Sequence, residues 1–89
     1  MKAIITVTGI DGVGIVAKVS SVCAEYGVSI NDISQSVIGE YFAMIMVASI
    51  DRITVPFNRF VDVMTEVGKE SGLVISTMHE DIFTSMHRI

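Results

Sequence analysis

Three glycines and an aspartate crowd the segment "GIDGVG", with Gly9, Gly12 and Gly14 around Asp11. A β-branched run precedes them and a run with helical spacing follows. A glycine-rich turn between a strand and a helix brings backbone N–H groups close to a ligand, and the helix N-terminus favours an anion there. Phosphate is the usual occupant of such turns, but no Gly-Lys-Ser/Thr follows to grip a β- or γ-phosphate. A dinucleotide is also excluded. The spacing G-x-x-G-x-G reverses the Rossmann order, and although Asp32 lies 18 residues after Gly14, 89 residues cannot build the parallel sheet that a dinucleotide spans. An acylphosphatase turn needs an arginine and a copper-transfer turn needs paired cysteines, and this turn has neither.

The other reactive side chains are few. Cys23, the only cysteine, falls on the apolar stripe of the following helix and reads as a small buried hydrophobe. His79 and His87 stand eight apart without a third ligand nearby, and read as surface or dimer-contact residues with no metal site. Six methionines fill core and interface gaps. With ten acidic and six basic residues the net charge is −4, and no cluster of Lys or Arg offers a nucleic-acid surface. An RNA-binding sheet would need exposed aromatics with basic surroundings, and only Tyr41 and Phe42 are available. The chain is expected to be no enzyme and to carry no cofactor.

The elements that position the turn follow from periodicity. Residues 2–9, rich in Ile, Val and Thr, read as a strand. Ile15, Val16, Val19, Val22, Cys23 and Tyr26 form one helical stripe that Gly27 ends. Residues 28–38 and 41–50 read as strands joined by "GE", a turn so short that the two must be antiparallel. Pro56 suits the first turn of a second helix, whose stripe is Phe57, Phe60, Val61, Met64, Val67 and Gly68, and Gly72 stops it. Residues 73–79 make a fourth strand. The tail 80–89 puts Ile82, Phe83, Met86 and Ile89 on one helical face, expected to pack on the domain or a partner. "EYGVSI" and "ESGLVI" echo each other 45 residues apart. The order βαββαβ gives a ferredoxin-like α+β sandwich, with four antiparallel strands and two helices on one face. Right-handed crossovers set the strand order 4-1-3-2. The whole chain, 1–89, forms one domain with core 2–79 and tail 80–89.

The chain is 51% hydrophobic with a mean hydropathy of +0.62. No apolar run reaches the roughly 18 residues of a membrane span, and the N-terminus lacks the pattern of a signal peptide. One sheet face is left without helices, so the excess apolar surface is expected to pair with a second copy, giving a homodimer or larger. The lone cysteine fits a reducing, cytoplasmic setting.

With turn, fold order and the strand "VSINDISQ" together, the sequence resembles the ACT domain family of small regulatory modules that commonly bind amino acids, in particular the stand-alone single-domain members related to the ACT domains of the glycine cleavage system repressor. The resemblance covers residues 2–79 and the "MHRI" tail. It implies a ligand site where two copies meet, built from Ile10, Asp11, Gly12, Val13 and Gly14 of one copy and Ser29, Ile30 and Asn31 of its neighbour. Output would pass through another protein. In such a site the N–H groups at the helix start would hold a carboxylate, Asp11 an ammonium, and Asn31 could donate and accept. The residues alone leave a structural turn open, with Asp11 as the helix cap and glycines for tightness, in a pure interaction module without a ligand.

Overall fold

A computed structural model describes residues 1–86. Its elements run β1 (Lys2–Ile10), α1 (Ile15–Glu25), β2 (Ser29–Ile38), β3 (Tyr41–Ser49), α2 (Phe57–Ser71), β4 (Leu73–His79) and α3 (Glu80–Met86). The four strands form one antiparallel sheet in the order β2-β3-β1-β4, the ferredoxin-like arrangement read from the sequence.

Strict alternation separates the two sheet faces. On β3 the side chains of Phe42, Met44, Met46 and Ala48 are buried, and those of Tyr41, Ala43 and Ile45 are exposed. Ala3, Ile5 and Val7 of β1 and Leu73 and Ile75 of β4 join the buried side. Both helices cover that side. Val19 and Cys23 of α1 and Phe60 and Met64 of α2 are fully buried, and Tyr26 meets Phe60 edge-on with ring centres 6.1 Å apart. Burying such side chains contributes roughly 1.5–3 kcal/mol each before ordering costs. Pro56 sits one residue ahead of α2, at its capping position, because its φ of −56° is paired with an extended ψ of 144°.

The other face is left without either of these helices, and the registers lay it out in rows across β2, β3, β1 and, from the second row on, β4. The row nearest the β2–β3 turn is Ile38, Tyr41 and Ile10. Next come Ser36, Ala43, Thr8 and Val74, then Ser34, Ile45, Thr6 and Ser76. The fourth row is Asp32, Val47, Ile4 and Met78, with α3 packed against β1 and β4 at that end.

The tail departs from its expectation within the single chain. No residue of α3 is buried: Ile82 and Met86 are 55% and 64% exposed, and only Phe83 is half-buried. Seven residues give too short a stripe to cover the sheet. Ile89 lies outside the described residues.

Candidate functional site

The loop 11–14 joins the end of β1 to the start of α1. Two backbone hydrogen bonds fix it. The Asp11 N–H donates to the Glu40 carbonyl at 2.8 Å, tying the loop to the β2–β3 turn, and the Lys18 N–H donates to the Gly14 carbonyl at 2.9 Å, opening the helix. Gly14 itself is the capping residue, in the left-handed conformation at φ 80°, where a side chain would be strained. No side chain caps α1 and its first turn contains no acid. Asp11 therefore does not serve as the cap, one of the two roles the sequence left open for it. The reason is geometric, since the cap falls three residues further along the chain.

The glycines divide by cause. A Cβ on Gly9 would come within 2.7 Å of Leu73 Cδ2 and 3.1 Å of the Gly72 carbonyl, so Gly9 lets β1 approach the start of β4. Gly12 answers to neither demand: it lacks a positive φ, and a Cβ there would meet nothing within 4 Å. Nothing within the chain's own packing requires glycine at position 12.

Two grooves flank the loop. The larger, about 440 Å³, runs between the loop and the far half of β2. Asp11, Gly12, Gly14 and the first turn of α1 line one side, and Gln35, Ser36 and Val37 line the other, with Phe42. The smaller, about 270 Å³, holds Ile10, Val13, Lys18 and Ser71 around the same glycines. Val13 is fully exposed, and Lys18 is exposed as well. The structure thus brings together Ile10, Asp11, Gly12, Val13 and Gly14.

Ser29, Ile30 and Asn31 lie elsewhere. Ser29 pairs with Ser49, which pairs with Lys2, so these residues flank the start of β1 and not its end. Eight residues of strand separate the two ends, about 26 Å. Ser29 and Ile30 line a different groove with Gly27 and Arg52, and the register slips between Ile30 and Asp32, leaving Asn31 in a bulge on the edge strand. Within one chain they cannot complete the site; Gln35, Ser36 and Val37 take that position. The sequence reading missed these three, although the right-handed crossover through α1 was the available signal, since it carries the chain from the end of β1 across to β2.

The remaining reactive groups serve packing. Cys23 is fully buried, and burial pushes its thiol up to about 11, far from the thiolate a nucleophile needs. His79 stacks edge-on against Phe57 with centres 4.8 Å apart. His87 lies outside the described residues. Among the described residues no three His, Cys, Asp or Glu side chains are grouped to hold a metal ion, and no helix is long and apolar enough to cross a membrane.

Known proteins share this arrangement. A UPF0237 protein of Clostridium acetobutylicum is 47% identical over all 89 residues of both chains. The structure of an ACT domain protein from Streptococcus pneumoniae superposes with a TM-score of 0.82 at 43% identity, covering 93% of each chain. A protein described as a glycine cleavage system transcriptional repressor shares the fold, with a TM-score of 0.71 at 24% identity over 89% of this chain and 47% of its own. The sequence pattern of the ACT domain matches residues 2–76, and with a βαββαβ sheet of that order and a glycine-rich loop at the start of α1, the chain belongs to the ACT domain family of regulatory domains.

Proposed function

We propose that this chain is a stand-alone regulatory module of the cytoplasm, without catalysis of its own, that binds a free amino acid at the 11–14 loop and passes its state to a partner protein. The observation that carries the reading is the start of α1: an uncapped helix N-terminus opening beside a groove, with a glycine at position 12 that the chain's own packing does not require. Unpaired amides at residues 13–15 suit a carboxylate. Asp11 beside them suits an ammonium group and opposes a phosphate. A zwitterion meets both demands.

A second copy completes the site. β2 is an edge strand of ten residues with no proline, and its one charge, Asp32, and its bulge at Asn31 both lie in its first half, so residues 33–38 lack the usual guards against pairing. β1 and β2 run in the same direction. An antiparallel β2–β2 pairing therefore carries Ser29, Ile30 and Asn31 of one copy to the end of the sheet where the other copy's loop lies. The bare edge also favours a second reading, a pure interaction module whose loop holds nothing.

Melting the chain against each of the twenty amino acids separates the two readings. A ligand at 100 times its Kd stabilises by about 2.7 kcal/mol, which raises Tm by about 10 °C or more in a domain of this size. Calorimetry on two variants then locates the site. Gly12→Val meets open space, and Asp11→Ala keeps the backbone bond to Glu40, so both fold; both should lose binding. Silence from all twenty amino acids, or undiminished binding in both variants, would leave the interaction module as the correct account.

A further inference from the structure

Every paired, helix-facing position of β1, β2 and β3 is apolar or glycine, with one exception. Gln35 lies opposite buried Met44 in the register, so its side chain is on the helix side of the sheet, in line with Ile33 and Val37. It stands out by the face it occupies. Ile33 and Val37 are 38% and 53% exposed, so that row of the edge strand accepts apolar side chains, and packing within the chain does not require a carboxamide at position 35. Hydrogen bonding within the chain does not require it either: among the described residues none is hydrogen-bonded to the Gln35 side chain.

Gln35 lines the groove of about 440 Å³ at the 11–14 loop, and so does Gly12. Two residues of one groove therefore have types that the chain's own packing leaves unexplained, Gly12 by its missing side chain and Gln35 by its polar end.

We infer that Gln35 is the specificity-determining residue of this groove, selecting an amino acid with a neutral hydrogen-bonding side chain, an amide or a hydroxyl. The inference rests on the amino-acid reading above and names the class of amino acid. With the ligand's carboxylate on the amides at 13–15 and its ammonium at Asp11, its side chain is left to cross the groove toward β2. Gly12, Gly14 and Ala17 put little bulk in its way. The Gln35 carboxamide both donates and accepts, so it pairs with another amide or with a hydroxyl. An apolar side chain displaces water from the carboxamide without replacing its hydrogen bonds. A charged side chain finds no free counter-charge, because Asp11 is the one charged residue lining the groove and the ammonium engages it.

Calorimetry on pairs of similar shape tests the selection: glutamine against methionine, asparagine against leucine, threonine against valine, serine against alanine. In the wild type the best-bound polar member should bind about tenfold tighter than its apolar counterpart, the value of one such hydrogen bond in an open groove. Gln35 is exposed on an edge strand, so Gln35→Met, similar in length, leaves the core untouched. That variant should erase the tenfold margin by weakening the polar ligand alone. A wild-type preference for an apolar or charged amino acid, a margin that survives Gln35→Met, or equal weakening of both members of the pair would each overturn the selection. If Asp11→Ala still abolished that binding, the loop site would stand without it. Silence from all twenty amino acids would overturn both.

Discussion

Gly68 sits inside α2 with its backbone against β4, and replacing it by alanine tests that contact by sign. In an exposed helix the change stabilises by about 1 kcal/mol, because glycine loses more backbone freedom on folding. Here the new Cβ would lie 2.8 Å from the Leu73 carbonyl oxygen, 3.0 Å from Ile75 Cγ1 and 3.2 Å from the Ile75 nitrogen. Two of these atoms belong to the backbone of a strand bonded into the sheet, so they cannot swing aside. Overpacking costs about 1–3 kcal/mol, and a 2.8 Å contact with a fixed backbone oxygen places this case in the upper half, about 2–3 kcal/mol. The expected balance is a net loss of about 1–2 kcal/mol, or about 5–10 °C in Tm for a domain of this size. Thermal unfolding followed by circular dichroism reads it directly. Gly12→Ala is the control: with nothing within 4 Å, it should stay within about 0.5 kcal/mol of the wild type. A Gly68→Ala chain as stable as the wild type, or more so, would show that α2 does not approach β4 so closely.

Three further outcomes follow from burial. Cys23 ionises near 11 in the folded chain against 9.0 when unfolded, so its contribution is complete below pH 9 and is lost between about pH 9 and pH 11, roughly 2–3 kcal/mol in all. Urea unfolding at pH 8 and pH 11 should show this loss, and Cys23→Val, which cannot ionise, should show less of it. Met46→Ala should cost about 2–5 kcal/mol, since Met46 is fully buried, whereas Val37→Ala on the edge strand, at 53% exposure, should cost about 0.5 kcal/mol or less; denaturant midpoints compare the two. Truncation after Glu80 removes exposed Ile82 and Met86 and half-buried Phe83, and should lower the melting temperature of the dissociated chain by only a few degrees.

Much of this was legible from residue order. Two stripes of helical spacing, four β-branched runs and glycines at the helix ends are local signals, and they account for the elements from β1 to β4 and for the strand order. The "GE" turn is also local: of its two residues Gly39 has a positive φ, at 62°, and Glu40 does not, which matches a two-residue hairpin loop with glycine first. The wall formed by Gln35, Ser36 and Val37 was not legible, because nothing in their types marks them; they matter through where the α1 crossover carries the chain. Asp11 had the right type for a cap at the wrong distance, a matter of how many loop residues precede the first helical turn. The tail's apolar spacing indicated a face without indicating what, if anything, meets it.

The hydrogen bond from the Asp11 amide to the Glu40 carbonyl makes two separate loops one mechanical part. Residues 11 and 40 are 29 positions apart in the chain, yet neither can shift without the other unless a bond worth about 1 kcal/mol breaks. Residue 11 adjoins the groove at α1, and residue 40 adjoins Tyr41 in the apolar row of the opposite face. The bond therefore ties a residue beside the groove on one side of the sheet to a neighbour of the apolar row on the other.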